Sequence, residues 1–130
     1  MTETASDSLA YSRRHTWVQA DPETHQAFIG ITDYLADTVG LIVSVDLPQV
    51  DDELEMDAFC AQLHLSKRIL SLRSPLTGRV LEVNEEVQDN PSLLSLDPYR
   101  NWLYRMEYDE DEELELLMGS ARYARFVDAL

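Results

Sequence analysis

A chain of 130 residues with 45% hydrophobic content is sized for one domain with a modest core. Its formal net charge of −15, from 25 acidic and 10 basic residues, repels phosphate backbones and anionic lipid. That argues against nucleic-acid and membrane-surface roles, and for partners with basic docking surfaces. No apolar run is long enough to span a bilayer, the first residues lack the basic and apolar blocks of a secretory signal, and the single cysteine, Cys60, excludes an internal disulfide framework. The expectation is a soluble protein of a reducing compartment: cytoplasmic, or in the mitochondrial matrix after processing if eukaryotic.

Residues 1–12 are polar and read as a flexible N-terminal segment, with one domain over 13–130. His15–Ala20 reads as a first strand, Asp21-Pro22 as a turn and Gln26–Thr32 as a second strand. Thr32 is a helix cap, Asp33–Val39 a short helix and Gly40 its stop. Leu41–Leu47 alternates, which places Leu41, Val43, Val45 and Leu47 on one face and Ile42, Ser44 and Asp46 on the other. After an acidic connection over Gln49–Asp57 comes a hairpin. Ala58–Leu65 is its outgoing strand, with Phe59, Ala61, Leu63 and Leu65 on one face; Ser66-Lys67-Arg68 is the turn; Ile69–Ser74 returns.

Pro75–Gly78 is a further turn and Arg79–Val83 a further strand; Asn90–Pro98 is turn-rich. Trp102–Tyr108 puts Trp102, Tyr104, Met106 and Tyr108 on one face, and a helical tail is expected from about Asp109, opening on the run DEDEELE. Gly40 and Gly78 each open a β-run followed by an acidic turn, a weak internal echo of two halves. The fold class is therefore mainly β with short helices.

Lys67 is the only lysine; the other nine basic residues are arginines. At ordinary usage a chain of this length carries about six to nine lysines. A preference for arginine explains the depletion but not why one lysine is kept at a hairpin tip. A turn lysine is usually only solvated, yet an exposed tip is also where a modifying enzyme reaches an amine and where a tethered group swings freely. With His64, Arg68 and Arg73 nearby in sequence, this tip is expected to be locally positive. His15, His25 and His64 are too scattered to form a metal site with one cysteine, and Cys60 reads as a small packed residue. No phosphate-cradling glycine loop and no nucleophile–histidine–acid pattern is visible.

The ordered motifs from His15 onward resemble the glycine cleavage system H-protein family of lipoyl carriers. His15-Thr16-Trp17 is similar to the family's His-x-Trp, Gly30–Leu54 to its most distinctive stretch, and Ser74-Pro75-Leu76-Thr77-Gly78-Arg79-Val80 to the segment after its lipoyl hairpin. Val83-Asn84, Asn90-Pro91, Asp97-Pro98-Tyr99 and Trp102-Leu103 follow in the family's order. In the family the modified lysine lies seven residues before the Ser-Pro serine, and that position here is Lys67.

The resemblance implies a lipoyl-type β-sandwich (barrel-sandwich hybrid, or hammerhead) with a C-terminal helical tail. It implies lipoate amide-linked to Lys67, with His64, Ser66 and Arg68 as the recognition residues around it. The implied role is a non-catalytic carrier that shuttles an aminomethyl group from a pyridoxal-phosphate glycine decarboxylase to a folate-dependent aminomethyltransferase. A dihydrolipoyl dehydrogenase reoxidises the arm, and a lipoylating enzyme installs it. The chemistry then belongs to the cofactor, and the protein supplies position and recognition.

Two departures stand out. His64-Leu65-Ser66-Lys67-Arg68 has a histidine where the family has an acid three residues before the lysine, and an arginine after it. That reversal implies poor recognition by standard lipoylating enzymes and weak exchange with a decarboxylase adapted to the acid. The segment Asp97–Trp102 lacks two glycines of the family pattern and is one residue shorter, in a loop expected near the arm's resting place. Two alternatives follow: an H-like lipoate-binding protein serving enzymes of a sulfur-oxidising, heterodisulfide-reductase-like system, or a non-lipoylated scaffold paralogue.

Overall fold

The computed structural model describes residues 9–130. It is an open sandwich of two antiparallel sheets with five short helices among the described residues. The large sheet has the order β1-β2-β3-β9-β8-β5, from Ala10–Tyr11 (β1), Thr16–Asp21 (β2), Gln26–Ile31 (β3), Tyr104–Tyr108 (β9), Gly78–Val83 (β8) and Glu53–Leu54 (β5). The small sheet has the order β4-β6-β7, from Ile42–Asp46, Phe59–Leu65 and Ile69–Arg73.

Alternation explains most of the core. Ala27, Ile29 and Ile31 of β3, Val80 of β8 and Tyr104, Met106 and Tyr108 of β9 point inward from the large sheet. Val45, Ala61, Leu63 and Leu72 meet them from the small sheet. Beneath β1 and β2 the large sheet is covered on its other face too, by a second cluster of Leu9, Tyr11, Trp17, Met118 and Tyr123. For this reason Thr16, Trp17 and Val18 are buried in succession rather than alternately.

The helix Asp33–Val39 (α1) starts where expected: Thr32 accepts the Leu35 N–H on its side chain, and Gly40 ends the helix at φ 71°. Glu85–Asp89 (α2, capped by Asn84) and Leu93–Leu96 (α3) are helical turns within segments read as acidic or turn-rich. The tail is not one helix. It is Asp111–Leu114 (α4) and Ser120–Asp128 (α5), and between them Met118 exchanges backbone bonds with Tyr11 at 2.7 and 2.8 Å.

Three expectations are corrected. The alternation over Leu41–Leu47 fails because β4 bulges: Ile42 pairs with Leu65 and Ser44 with His64, so Val43 is an extra residue. Ile42 turns inward and Leu41 and Val43 face solvent, being 71% and 56% exposed. A second bulge, between Phe59 and Ala61, likewise puts Phe59 outside while Ala61 and Leu63 stay in the core. Of the N-terminal segment expected to be flexible, residues 1–8 lie outside the described residues, whereas Leu9 is buried and Ala10–Tyr11 forms β1 against β2.

Candidate functional site

The β6–β7 hairpin closes tightly. His64 pairs with Ile69, and the Leu65 N–H donates to the Arg68 carbonyl at 2.8 Å, leaving Ser66 and Lys67 at the apex. Ser66, Lys67 and Arg68 are all exposed, and Lys67 takes part in no ion pair among the described residues. The strands beneath are anchored by Leu63 and Leu72 in the core. A stiff base thus carries a lysine whose amine is free to be acylated without disturbing packing, which is what a covalently attached arm requires.

The surroundings of the tip differ from the expected positive cluster in two respects. His64 Nε2 lies 2.6 Å from Asp46 Oδ2 on the neighbouring strand, so a carboxylate stands beside the histidine. Arg73 is not at the tip at all. It ends β7, four residues from Ile69 and so about 13 Å away along the strand. There its guanidinium lies 4.6 Å from the Phe59 ring centroid and donates to the Asp57 carbonyl at 3.2 Å. Of the residues expected to govern recognition, His64, Ser66 and Arg68 are brought together with Lys67. Asp46 was missed because its nearness depends on the β4–β6 register, which no local pattern reveals.

The altered segment Asp97–Trp102 packs on β2 and α1. The Trp17 indole N–H donates to the Pro98 carbonyl at 3.0 Å, and the Tyr99 hydroxyl donates to Asp33 Oδ1 at 2.8 Å. Where glycines are missing, Asn101 ties the loop by donating to the Leu93 and Asp97 carbonyls at 3.0 and 2.9 Å. The loop therefore staples β2 and α1 together on the outer face of the large sheet.

Cys60 is partly buried, with Sγ 3.4 Å from the Tyr104 hydroxyl, and burial pushes its thiol up to about 11 against a smaller opposing effect of that hydrogen bond. It packs against the core and is no nucleophile at neutral pH. Among the described residues, no three His, Cys, Asp or Glu side chains gather as metal ligands. His15 and His25 lie in separate turns and His64 on β6, and among the described residues no helix is long and apolar enough to cross a membrane.

A family model described as "Glycine cleavage H-protein" matches residues 9–129. The chain belongs to the glycine cleavage H-protein family. Glycine cleavage system H proteins from Halothermothrix orenii and Alkaliphilus oremlandii are 38% and 40% identical, over 94% and 92% of this chain and 94% and 93% of their own. The crystal structure of a glycine cleavage system H protein from Mycobacterium marinum superposes with a TM-score of 0.82 at 26% identity, covering 95% of this chain and 98% of that one. The H-protein architecture of mostly β sheets with short helices is thus shared. The family role, a lipoyl carrier subunit of the glycine cleavage system, applies to this chain, and the sulfur-oxidation and scaffold alternatives are not favoured.

Proposed function

We propose that Lys67 is the lipoyl attachment site and that the hairpin tip is the surface its modifying and partner enzymes read. The observation that carries this reading is the lone lysine at the apex of a tight, core-anchored hairpin. A solvated turn amine loses little packing when it becomes an amide, and Ser66 and Arg68 flank it without covering it. When attached, lipoate supplies a disulfide that accepts and releases the aminomethyl group. The chain's own part is to fix the arm's root, expose it and present its surroundings for docking.

Those surroundings are the exposed Ser66 and Arg68 and the His64–Asp46 pair. The acidic body favours partners with basic docking faces. The partners are a pyridoxal-phosphate glycine decarboxylase, a folate-dependent aminomethyltransferase, a dihydrolipoyl dehydrogenase and a lipoylating enzyme. Bacterial relatives and a single unreactive thiol support a cytoplasmic setting.

The test is glycine-dependent carbon dioxide exchange by a purified glycine decarboxylase, supplied with lipoylation-treated wild type or Lys67→Arg. Arginine keeps the charge but cannot form the amide. Exchange with wild type and none with the variant is expected. Equal exchange by both overturns the assignment of Lys67; no exchange at all by a wild type verified as lipoylated leaves that assignment standing and overturns the tip as the surface the decarboxylase reads.

A further inference from the structure

A groove opens between α1 and α5, and none of its lining residues belongs to the carrier hairpin. Its volume is about 560 Å³. Tyr11 of β1, Tyr34 of α1, Tyr123 of α5 and Tyr99 from the loop before β9 give it aromatic walls. Four of the chain's six tyrosines thus meet here from segments far apart in sequence. Asp33 and Asp37 join them from α1 and Asp128 from α5. No arginine, lysine or histidine lines the groove; Arg122 and Arg125 of α5 are exposed outside it. Among the described residues, none of the three carboxylates is in an ion pair.

The fold beneath fixes these walls. Tyr11 and Tyr123 stack with ring centroids 4.6 Å apart and planes 7° from parallel, within the second core cluster. The Tyr123 hydroxyl lies 2.8 Å from Thr32 Oγ1 and 2.8 Å from His15 Nδ1, which seats α5 against the start of α1. The Tyr99 hydroxyl and the Tyr34 N–H both donate to Asp33 Oδ1, at 2.8 Å each, so that carboxylate is held in position through one oxygen. Ala121 and Ala124 line the α5 side and are too short to fill the space. Burial raises the Tyr99 and Tyr123 phenols above their usual range, and for Tyr99 its bond to Asp33 adds to the rise. At neutral pH the charges lining the groove are therefore all negative.

Neutral aromatic faces attract a cation through the ring quadrupole, and carboxylates beside them supply the opposite charge. A planar guanidinium suits this combination best. It stacks flat on a ring while its edge N–H groups bond a carboxylate, whereas an ammonium is a compact, strongly hydrated charge. We propose that the groove binds an arginine side chain presented by a partner protein. A body of net charge −15 already draws basic surfaces, and the groove gives such a surface one oriented contact. The site does not depend on acylation of Lys67.

Titrating the full, unmodified chain with the peptide acetyl-Gly-Arg-Gly-amide at constant ionic strength tests the site by NMR. Saturable shifts at the Asp37, Ala121 and Ala124 amides are expected, with weaker binding of the matching lysine peptide and none of the glutamine peptide. Asp37→Asn, Asp128→Asn and Tyr34→Leu should each weaken the arginine peptide about threefold, as loss of one exposed ion pair or one ring face does. An amide spectrum unchanged outside the groove shows that each variant is folded. Non-saturating shifts, equal binding of the arginine and lysine peptides, or unchanged affinity in all three variants overturn the site. Tetramethylammonium is the probe for a free organic cation; tighter binding of it than of the arginine peptide overturns the assignment to a partner's side chain.

Discussion

Substituting Gly30 by alanine tests how the family's opening motif is built. Gly30 is the direct cross-strand partner of Trp17, and the indole lies flat across the missing side chain. A Cβ there would stand 2.4 Å from Trp17 Cε2 and 2.5 Å from Nε1. The ring is 2% exposed and its N–H donates to the Pro98 carbonyl at 3.0 Å, so it has little room to retreat. Forcing a rigid buried ring off its seat costs about 1–3 kcal/mol, and the lost indole hydrogen bond adds about 1 kcal/mol. Gly30→Ala should therefore lose about 3 kcal/mol in urea unfolding, a large part of a domain's usual 5–15 kcal/mol. The Trp17 indole N–H resonance should shift as the Pro98 bond breaks, while the hairpin amides around Lys67 stay in place because they belong to the other sheet. A loss under about 0.5 kcal/mol, the range of neutral surface changes, with an unmoved indole resonance would refute the reasoning.

Three further outcomes follow from the geometry. Lys67→Ala should change stability by no more than about 0.5 kcal/mol, since an exposed apex side chain buries little; a loss of several kcal/mol on urea unfolding would make the lysine structural. His64→Glu should bring a carboxylate against Asp46 and cost about 0.5 kcal/mol, as like charges on paired strands do, and adding Asp46→Asn should recover it; a single variant as stable as wild type would show that the 2.6 Å pairing is not maintained in solution. Cys60, with its thiol raised to about 11, should alkylate with iodoacetamide far more slowly at pH 8 than a free thiol and should accelerate as pH rises. Because the fold disfavours the thiolate, Cys60 also lowers stability as pH climbs from the usual thiol range toward 11; rapid labelling at pH 8 of the folded chain would contradict its burial.

Much of the architecture was legible locally. Thr32 and Gly40 bound a helix because a side-chain acceptor and a left-handed glycine are local devices. The Lys67 hairpin was legible because two strands flank a short polar turn. What failed depended on pairing. The bulge at Val43 reverses the faces of β4, and nothing in Leu41–Leu47 marks an extra residue until β6 sets the register. Phe59 was expected inside for the same reason and lies outside under Arg73.

At the site, neighbours in sequence were readable and neighbours in space were not. Lys67, Ser66 and Arg68 share a turn, whereas Asp46 reaches His64 only across a strand, and Arg73 lies a full strand length from the tip it was assigned to.

The most direct measurement is the intact mass of the protein purified from its native host during growth on glycine, followed by peptide mapping. A mass increase of one lipoyl group, mapped to Lys67, is the expected result. A wholly unmodified chain, or a lipoyl group mapped to any other position, would contradict the assignment of Lys67 as the root of the carrier arm.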